Sequence, residues 1–462
     1  MRIQFLVVAT LLAAFPVAAQ TDANRQLERE IFAELININT SDSAGHTREA
    51  AEAMARRLTA AGLPEGDVKV LGHTPKYQNL VARYRGTGRG RPILLMAHLD
   101  VLDARKEDWS FDPYQFREAD GYYYGRGTSD NKAGAAMLVA NFVRMKKEGF
   151  VPERDIIIVL TGDEETAGDC IKWLVREHRD LVDAEFALNT DAGGGELRDG
   201  KPVAFSVQTA EKMFLTFNFE VRNRGGHSSL PEPDNAIYRL SNGLARLAKY
   251  DFPVRLNETT RAFFTRAAAA QPAQVAADMR AVARSADPAA AKRLSVVPYY
   301  NSVMRTTCVA TRLFAGHADN ALPQLAQATV NCRLLPDDPP ERVEAELARI
   351  VADSAIHITR KAQPTPSPAS PLRPDVMGPV EKLAGQMWPG ASVVPEMSTG
   401  ATDGLHVRNV GIPVYGVGGI FERIDDVRAH GRDERVGVKA FHDAAEYWYR
   451  LTRELASAKP GA

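Results

Sequence analysis

Two histidines and several acids stand where a side chain can reach a ligand instead of a core. His98-Leu99-Asp100 follows the apolar run Ile93–Ala97. An imidazole leaving the carboxyl end of a buried strand stands where open α/β sheets hold ligands, and Asp100 can bond its far nitrogen, fixing the tautomer and raising its basicity. His-x-Asp is a weak signal by itself, because it recurs at His178 and His317, neither of which follows a continuous apolar strand. In Gly125-Arg126-Gly127-Thr128-Ser129-Asp130-Asn131-Lys132 two glycines permit an unusual loop. Asp130, just ahead of a helical stretch, either caps that helix or bridges two metal ions.

Glu164 and Glu165 lie in Gly162-Asp163-Glu164-Glu165, directly after the apolar run Ile156–Leu160. Three consecutive acids at a strand end repel one another unless water or cations offset the charge. One carboxylate can then bind metal while its neighbour stays free as a general base for water. Asp191 follows a further apolar run and precedes Gly193-Gly194-Gly195, and His430 lies in Ala429-His430-Gly431-Arg432-Asp433-Glu434 before the last helical stretch. Each of these is readable alone as structural. Jointly, His98, Asp130, one of the Glu164–Glu165 pair, Asp191 and His430 suit two zinc ions that share one carboxylate, each keeping a position for water or substrate.

Alternating strand-like and helix-like segments would hold these residues. Helical spacing covers Arg25–Ile36 and Thr47–Ala61; strand-like runs follow at Asn79–Tyr84 and Pro92–Ala97, then a helix at Lys132–Lys147 and the runs Ile156–Leu160 and Phe186–Leu188. That order predicts an α/β sheet covered on both faces. From about residue 211 the pattern changes: Met213–Val221 alternates like a half-exposed strand, Asn235–Leu247 reads as helix, and two strand-like segments end near Leu335. A helix at Glu341–Val351 and a strand at Ile356–Thr359 complete a βαββαβ order, an α+β domain inserted into the first. The Ala- and Arg-rich stretch Ala262–Arg293 reads as an added helical elaboration of undisclosed role. After the Pro-rich connection Pro364–Pro374 come a helix to Met387, a strand at Val414–Val417 and a helix from Lys439 to Leu455. The catalytic domain is thus read as 20–210 and 365–462, interrupted by 211–364.

Composition narrows the partners. With 57 Lys and Arg against 58 Asp and Glu, no charge run can follow a phosphate backbone, which argues against nucleic acid. Arg2, the apolar stretch Phe5–Phe15 and Val17-Ala18-Ala19 read as an export signal, residues 1–19, and as a periplasmic or secreted destination; a retained anchor is the other reading. Cys308 and Cys332 lie at equal distances from position 320, so they can face each other across a hairpin as a disulfide, or remain two buried thiols. Cys170 is left over either way.

The ordered series His98-x-Asp100, Gly-Arg-Gly-x-x-Asp130-x-Lys132, Asp163-Glu164-Glu165, Asp191, Gly226-His227-Ser228-Ser229 and His430-Gly431 resembles the M20 metallopeptidases over about residues 25–455. The resemblance implies a zinc-exopeptidase-type mixed sheet flanked by helices, with the insert as lid and homodimerisation domain. It implies that His98 and Asp191 hold one zinc, that Glu165 and His430 hold the other, and that Asp130 bridges; cobalt or manganese are possible substitutes. Asp100 would orient the histidine and Glu164 activate the water. This chain departs where many members have Glu at the position of Asp191, which shortens one ligand.

Gly225-Gly226-His227 reads by itself as a surface turn, and Arg333 as one half of a lid salt bridge. The resemblance gives His227 the oxyanion of the partner subunit's site, and gives Asn320 and Arg333 the substrate carboxylate, a task that the two-pronged guanidinium suits. Gly400, Ala401 and Thr402 would help to seat that carboxylate. The implied activity is release of an amino acid from an N-acyl or peptidyl amino acid, of the carboxypeptidase S or aminoacylase kind. The rivals are an aminopeptidase or dipeptidase with the same metals, and a binding module that has lost catalysis. Domain closure predicts a hinge near residues 209–212 and 362–368.

Overall fold

The apolar runs that precede the acids become strands buried on both faces. The computed structural model describes residues 17–43 and 45–457; residues 1–16 of the expected export signal lie outside them. Val68–Leu71, Asn79–Tyr84, Arg154–Thr161, Gly90–His98, Phe186–Asn189, Val414–Gly416, Lys201–Glu211, Gly194–Arg198 and Phe421–Arg423 lie side by side in that order, with Ser392–Ser398 also paired to Lys201–Glu211. The four central strands, 154–161, 90–98, 186–189 and 414–416, run parallel. Pairing is antiparallel from 154–161 to 79–84 and to 68–71 on one side, and between 414–416 and 201–211 on the other.

Strict alternation divides each central strand between two cores. Ile93, Leu95, Ala97, Ile156, Ile158 and Leu160 pack beneath helices Val17–Asn37, Thr47–Ala60, Lys132–Lys147 and Val438–Ser457. Leu94, Met96, Ile157 and Val159 pack on the other face, against helices Asp169–Glu177 and Gly404–Asn409. Each such side chain stabilises by about 1.5–3 kcal/mol on full burial, so a one-residue slip would exchange the two cores and misplace every residue at the strand ends. All four parallel strands end at one edge, where His98, the turn 162–165, Asp191 and Gly418 lie.

The inserted sheet is antiparallel throughout, in the order Thr307–Ala315, Leu325–Leu334, Met213–Arg222, His357–Arg360. Leu215, Phe217, Phe219, Ala328, Val330 and Cys332 point toward helices Ala236–Leu247 and Pro340–Val351. The alternate positions, among them Phe214 and Arg333, occupy the opposite, helix-free face. Cys308 and Cys332 are directly opposed in register and joined as a disulfide; of the two alternatives left open by spacing, the bridged one is present. The register shifts past Ala310.

Several strands escaped periodicity analysis, two of them long. Lys201–Glu211 is only partly buried along its first half, and Ser392–Ser398 carries Pro395, tolerated because this strand pairs on one side only. The helical elaboration is four α-helices, Glu258–Ala267, Ala273–Ser285, Pro288–Leu294 and Pro298–Met304. Phe264, Met279, Val282, Leu294 and Met304 form their own core with Ala210 and Met397 of the large sheet and Leu335 just past the end of the inserted strand Leu325–Leu334. The elaboration thus packs across the junction of the two sheets.

Candidate metal centre

The site is built where five chain segments converge. His98, 1% exposed at the end of its strand, has Nε2 2.9 Å from Asp130 Oδ1 and 3.4 Å from Asp191 Oδ1. His430 Nε2 lies 2.9 Å from Asp130 Oδ2 and 3.1 Å from Glu165 Oε1. Two three-donor groups result, His98–Asp130–Asp191 and Asp130–Glu165–His430, each with its ligand atoms within 4.8 Å of one another. Asp130 belongs to both and turns one oxygen to each.

The electrostatics fit cations. Burial, followed by the charge of Asp191, pushes the Glu164 carboxyl up to about 10. Burial also pushes Glu165 to about 7 and Asp191 to about 6. The hydrogen bond to Asp130 raises His430 to about 9, while hydrogen bonds from His430 and His98 hold Asp130 low despite its burial. So many buried acids facing one another are costly without positive charge among them. Two imidazole nitrogens and three carboxylates, one shared, form a donor set that suits a pair of zinc-like ions.

The surrounding hydrogen bonds explain how an acidic turn keeps this shape. The Asp100 carboxylate accepts the backbone N–H groups of Glu164, at 3.1 Å, and Glu165, at 2.9 Å. The ring nitrogen that sequence reading assigned to that carboxylate is instead 2.9 Å from the Asp100 carbonyl oxygen, with the carboxylate 3.6 Å away. A charged acceptor gives more to two amide donors than to one neutral ring N–H, so Asp100 fixes the Glu164–Glu165 turn and the imidazole together. Asp403, which burial raises to about 7, adds its charge beside Glu164.

Glu434, which sequence reading did not single out, organises the other side. Fully buried, it accepts from Arg126 Nη1 at 2.7 Å, from the N–H groups of Gly127, Ser129 and Asp130 at 3.1, 2.8 and 3.2 Å, and from Ser129 Oγ at 3.0 Å. Arg126 Nη2 donates to the carbonyl of His430 at 3.3 Å, a residue in the left-handed region with φ +64°. Its only sequence signal was its place in the His430 loop. Glu434→Ala leaves three N–H groups without their acceptor, and the expected result is a 10–100-fold weaker apparent metal affinity, the size of effect seen for supporting ligand contacts. Competitive chelator titration measures it, and unchanged affinity would show that Asp130 is positioned otherwise.

Lys132, completely buried, donates to the carbonyls of Leu35 and Ile38 at 2.9 and 2.7 Å, tying the helix after Asp130 to the end of the first helix. Gly134 is needed for close approach: a Cβ there would stand 2.1 Å from Thr190 Oγ1. Asp130 and Asp191 border a cavity of about 200 Å³ with Ile420 and Glu422. A larger one, about 660 Å³ between Trp388, Phe421 and Arg435, is lined by none of the five donors.

The other expected residues lie in two further groups. His227 and Ala321 pair on a two-stranded ribbon, and Ser228 N–H donates to the Asn320 carbonyl at 3.0 Å, so His227 and Asn320 are neighbours. Ser229 N–H donates to His227 Nδ1 at 3.2 Å, which leaves the proton on Nε2. Among the described residues no hydrogen bond or ion pair joins this ribbon to the metal donors. Arg333 is half-buried, its guanidinium 4.9 Å from the Phe214 ring centre, and no carboxylate pairs with it among the described residues. The salt-bridge reading for Arg333 therefore has no partner. Thr402 Oγ1 donates to Glu211 Oε1 at 2.6 Å, and Gly400 N–H to Ser398 Oγ at 3.0 Å, so the segment through Gly400, Ala401 and Thr402 is tied at Thr402 to the strand that leads into the inserted sheet and at Gly400 to the end of Ser392–Ser398. Glu211 is held in turn by Arg408 at 2.6 Å, both buried. Nothing in the sequence linked those two positions.

Known proteins resemble this chain in sequence and fold. The chain is 28% identical over 390 residues to the N-fatty-acyl-amino acid synthase/hydrolase PM20D1 of Xenopus tropicalis, covering 78% of this chain and 72% of that protein. The M20 family metallo-carboxypeptidase Sso-CP2 from Sulfolobus solfataricus superposes with a TM-score of 0.68 at 17% identity, over 93% of this chain and 99% of that one. The YXEP protein of Bacillus subtilis, a dinuclear metal binding peptidase from the M20 family, does so with a TM-score of 0.61 at 14% identity, over 93% and 98% of the two chains. The sequence pattern of peptidase family M20/M25/M40 matches residues 94–454. With that match across most of its length, and two sets of metal donors at the strand ends, this chain belongs to peptidase family M20/M25/M40 and is a metallopeptidase or amidohydrolase.

Proposed function

We propose that this protein is a two-zinc amidohydrolase that releases an amino acid from an N-acyl or peptidyl amino acid bearing a free carboxylate. The observation that carries the metal assignment is Asp130, one oxygen in each of two donor sets. His98 and Asp191 would hold one ion, Glu165 and His430 the other. When bound, such a pair polarises the scissile carbonyl and lowers the pKa of water. Glu164, held in its turn by Asp100 and kept as a carboxylate by the charge that bound cations would supply beside it, accepts the proton of the attacking water and returns it to the departing nitrogen. His227, with its proton on Nε2, is suited to donate to the developing oxyanion.

Arg333 carries the substrate assignment, since a half-buried guanidinium without a carboxylate partner is prepared for one from the ligand. Asn320 and the Gly400–Thr402 segment would complete that seat. The relation to an N-fatty-acyl-amino acid hydrolase supports an acyl or peptidyl amino acid as substrate. The test is a panel of N-acyl amino acids, dipeptides and their C-terminally amidated counterparts. Cleavage confined to free carboxylates is expected; equal cleavage of the amides would transfer the reading to an aminopeptidase. Arg333→Ala is expected to raise KM by roughly 10–100-fold with kcat little changed, the equivalent of ~1.5–3 kcal/mol for hydrogen bonds to a charged group. A KM unchanged for the preferred substrate would remove Arg333 from the site.

Two further features belong to this proposal. Among the described residues no hydrogen bond or ion pair joins His227 to the candidate metal donors, and Thr307–Ala315 is a largely exposed edge strand carrying Val309, Leu313 and Phe314 at 60–64% exposure. Both support a homodimer formed through the inserted domain, since an apolar open edge is a template for pairing. The Cys308–Cys332 disulfide supports export, because such bonds persist in oxidising compartments.

A further inference from the structure

Behind the acidic turn lies a second kind of donor cluster that the proposed hydrolysis does not use. We propose that His73, Asp163 and Cys170 form a third ion site, which takes a thiophilic divalent cation such as zinc or cobalt(II) and braces the turn bearing Glu164 and Glu165. The three come from separate places: the turn after strand Val68–Leu71, the end of strand Arg154–Thr161, and the first turn of helix Asp169–Glu177. Their ligand atoms all lie within 4.8 Å of one another, and Cys170 Sγ stands 3.8 Å from His73 Nδ1. Donors about 2.0–2.3 Å from a tetrahedral ion are separated from each other by roughly 3.3–3.8 Å, so the thiol–imidazole edge already has the required length. His73, on an exposed turn, can supply the remaining adjustment.

Asp163 is already positioned. Its Oδ2 accepts from Asp169 N–H at 2.9 Å and its Oδ1 from Cys170 N–H at 2.8 Å, which fixes the carboxylate and leaves each oxygen a second lone pair. Cys170 is the one cysteine outside the disulfide and is fully buried. Burial, followed by the charge of Asp163, keeps its thiol protonated; an arriving cation reverses that balance, and binding releases the thiol proton to solvent. A sulfur, nitrogen and oxygen set favours zinc or cobalt over magnesium or calcium. Entry is through the open cleft of about 430 Å³ that His73 lines with Gln78, Trp173 and His178, which leaves a fourth position to water.

Because Asp163 directly precedes Glu164, an ion here links the catalytic turn to the edge of the sheet. The test is a cobalt(II) titration of the metal-stripped full chain, followed by absorption and by Tm. The wild type is expected to take three equivalents, one of them giving a thiolate-to-cobalt charge-transfer band and a rise in Tm. His73→Ala and Cys170→Ser are expected to lose that band and that equivalent while keeping two. His73 is exposed, so its variant stays informative if the buried Cys170→Ser folds poorly. Saturation of the wild type without the band, or a band that persists undiminished in His73→Ala, overturns the site. The band with a single equivalent in all would retain this site and defeat the two-ion centre around Asp130.

Discussion

Glu164→Gln is expected to lower kcat by roughly 10²–10⁴-fold, the contribution of a positioned general acid–base, while the protein keeps its metal and its fold. The amide of residue 164 still donates to Asp100, so the turn that presents Glu165 is undisturbed. A carboxamide has the same shape as the carboxyl group but takes no proton. The side chain is largely buried, and a carboxamide there has no charge to desolvate, so Tm is expected to hold or rise. Metal analysis together with single-turnover hydrolysis of an N-acyl amino acid separates the arms. Full activity in the variant would move the base elsewhere, and metal loss would make Glu164 a ligand. A binding module without catalysis would show no difference between the two proteins.

Asp130→Ala should remove both ions. The carboxylate is the only member common to the two donor sets, with His98 on one oxygen and His430 on the other, each at 2.9 Å. Its loss leaves each set with two side-chain donors, below the three that catalytic zinc sites keep. Metal content is expected to fall by about two ions per chain, leaving at most what the separate His73–Asp163–Cys170 group holds, with activity reduced by about 10⁴-fold or more. The loop itself should persist, because Glu434 holds it through the N–H groups of Gly127, Ser129 and residue 130. One ion retained at unchanged affinity would show that the two sites are independent and that Asp130 is not shared.

Both expectations concern residues whose candidacy was legible in the chain, and the reason is local. A buried parallel strand must be apolar at every position, so Ile93–Ala97, Ile156–Leu160 and Phe186–Leu188 announce themselves, and a histidine or acid directly after such a run has to lie at the strand end. Alternation in Met213–Val221 likewise identified a strand with one helix-covered face. The equal spacing of Cys308 and Cys332 about position 320 anticipated a facing pair, and the shift between them and the connection, past Ala310, amounts to a single residue.

Contacts between distant segments left no such trace. Glu434 serves Arg126 and the Asp130 loop across more than 300 positions, and Arg408 serves Glu211 across nearly 200; a buried charge with a good partner looks in sequence like any surface charge. Ser392–Ser398 was hidden by its proline, which only its one-sided pairing tolerates. The carboxylate of Asp100 went to two backbone amides instead of the neighbouring imidazole, because the fold of the acidic turn decides which donors are buried. What the sequence alone determined was which residues stand at strand ends and with what chemistry, since burial periodicity is written one residue at a time. Tertiary structure alone decided how His98, Asp130, Glu165, Asp191 and His430 converge, which partners hold them there, and that His73 and Cys170 meet behind them, because convergence depends on strand order and register.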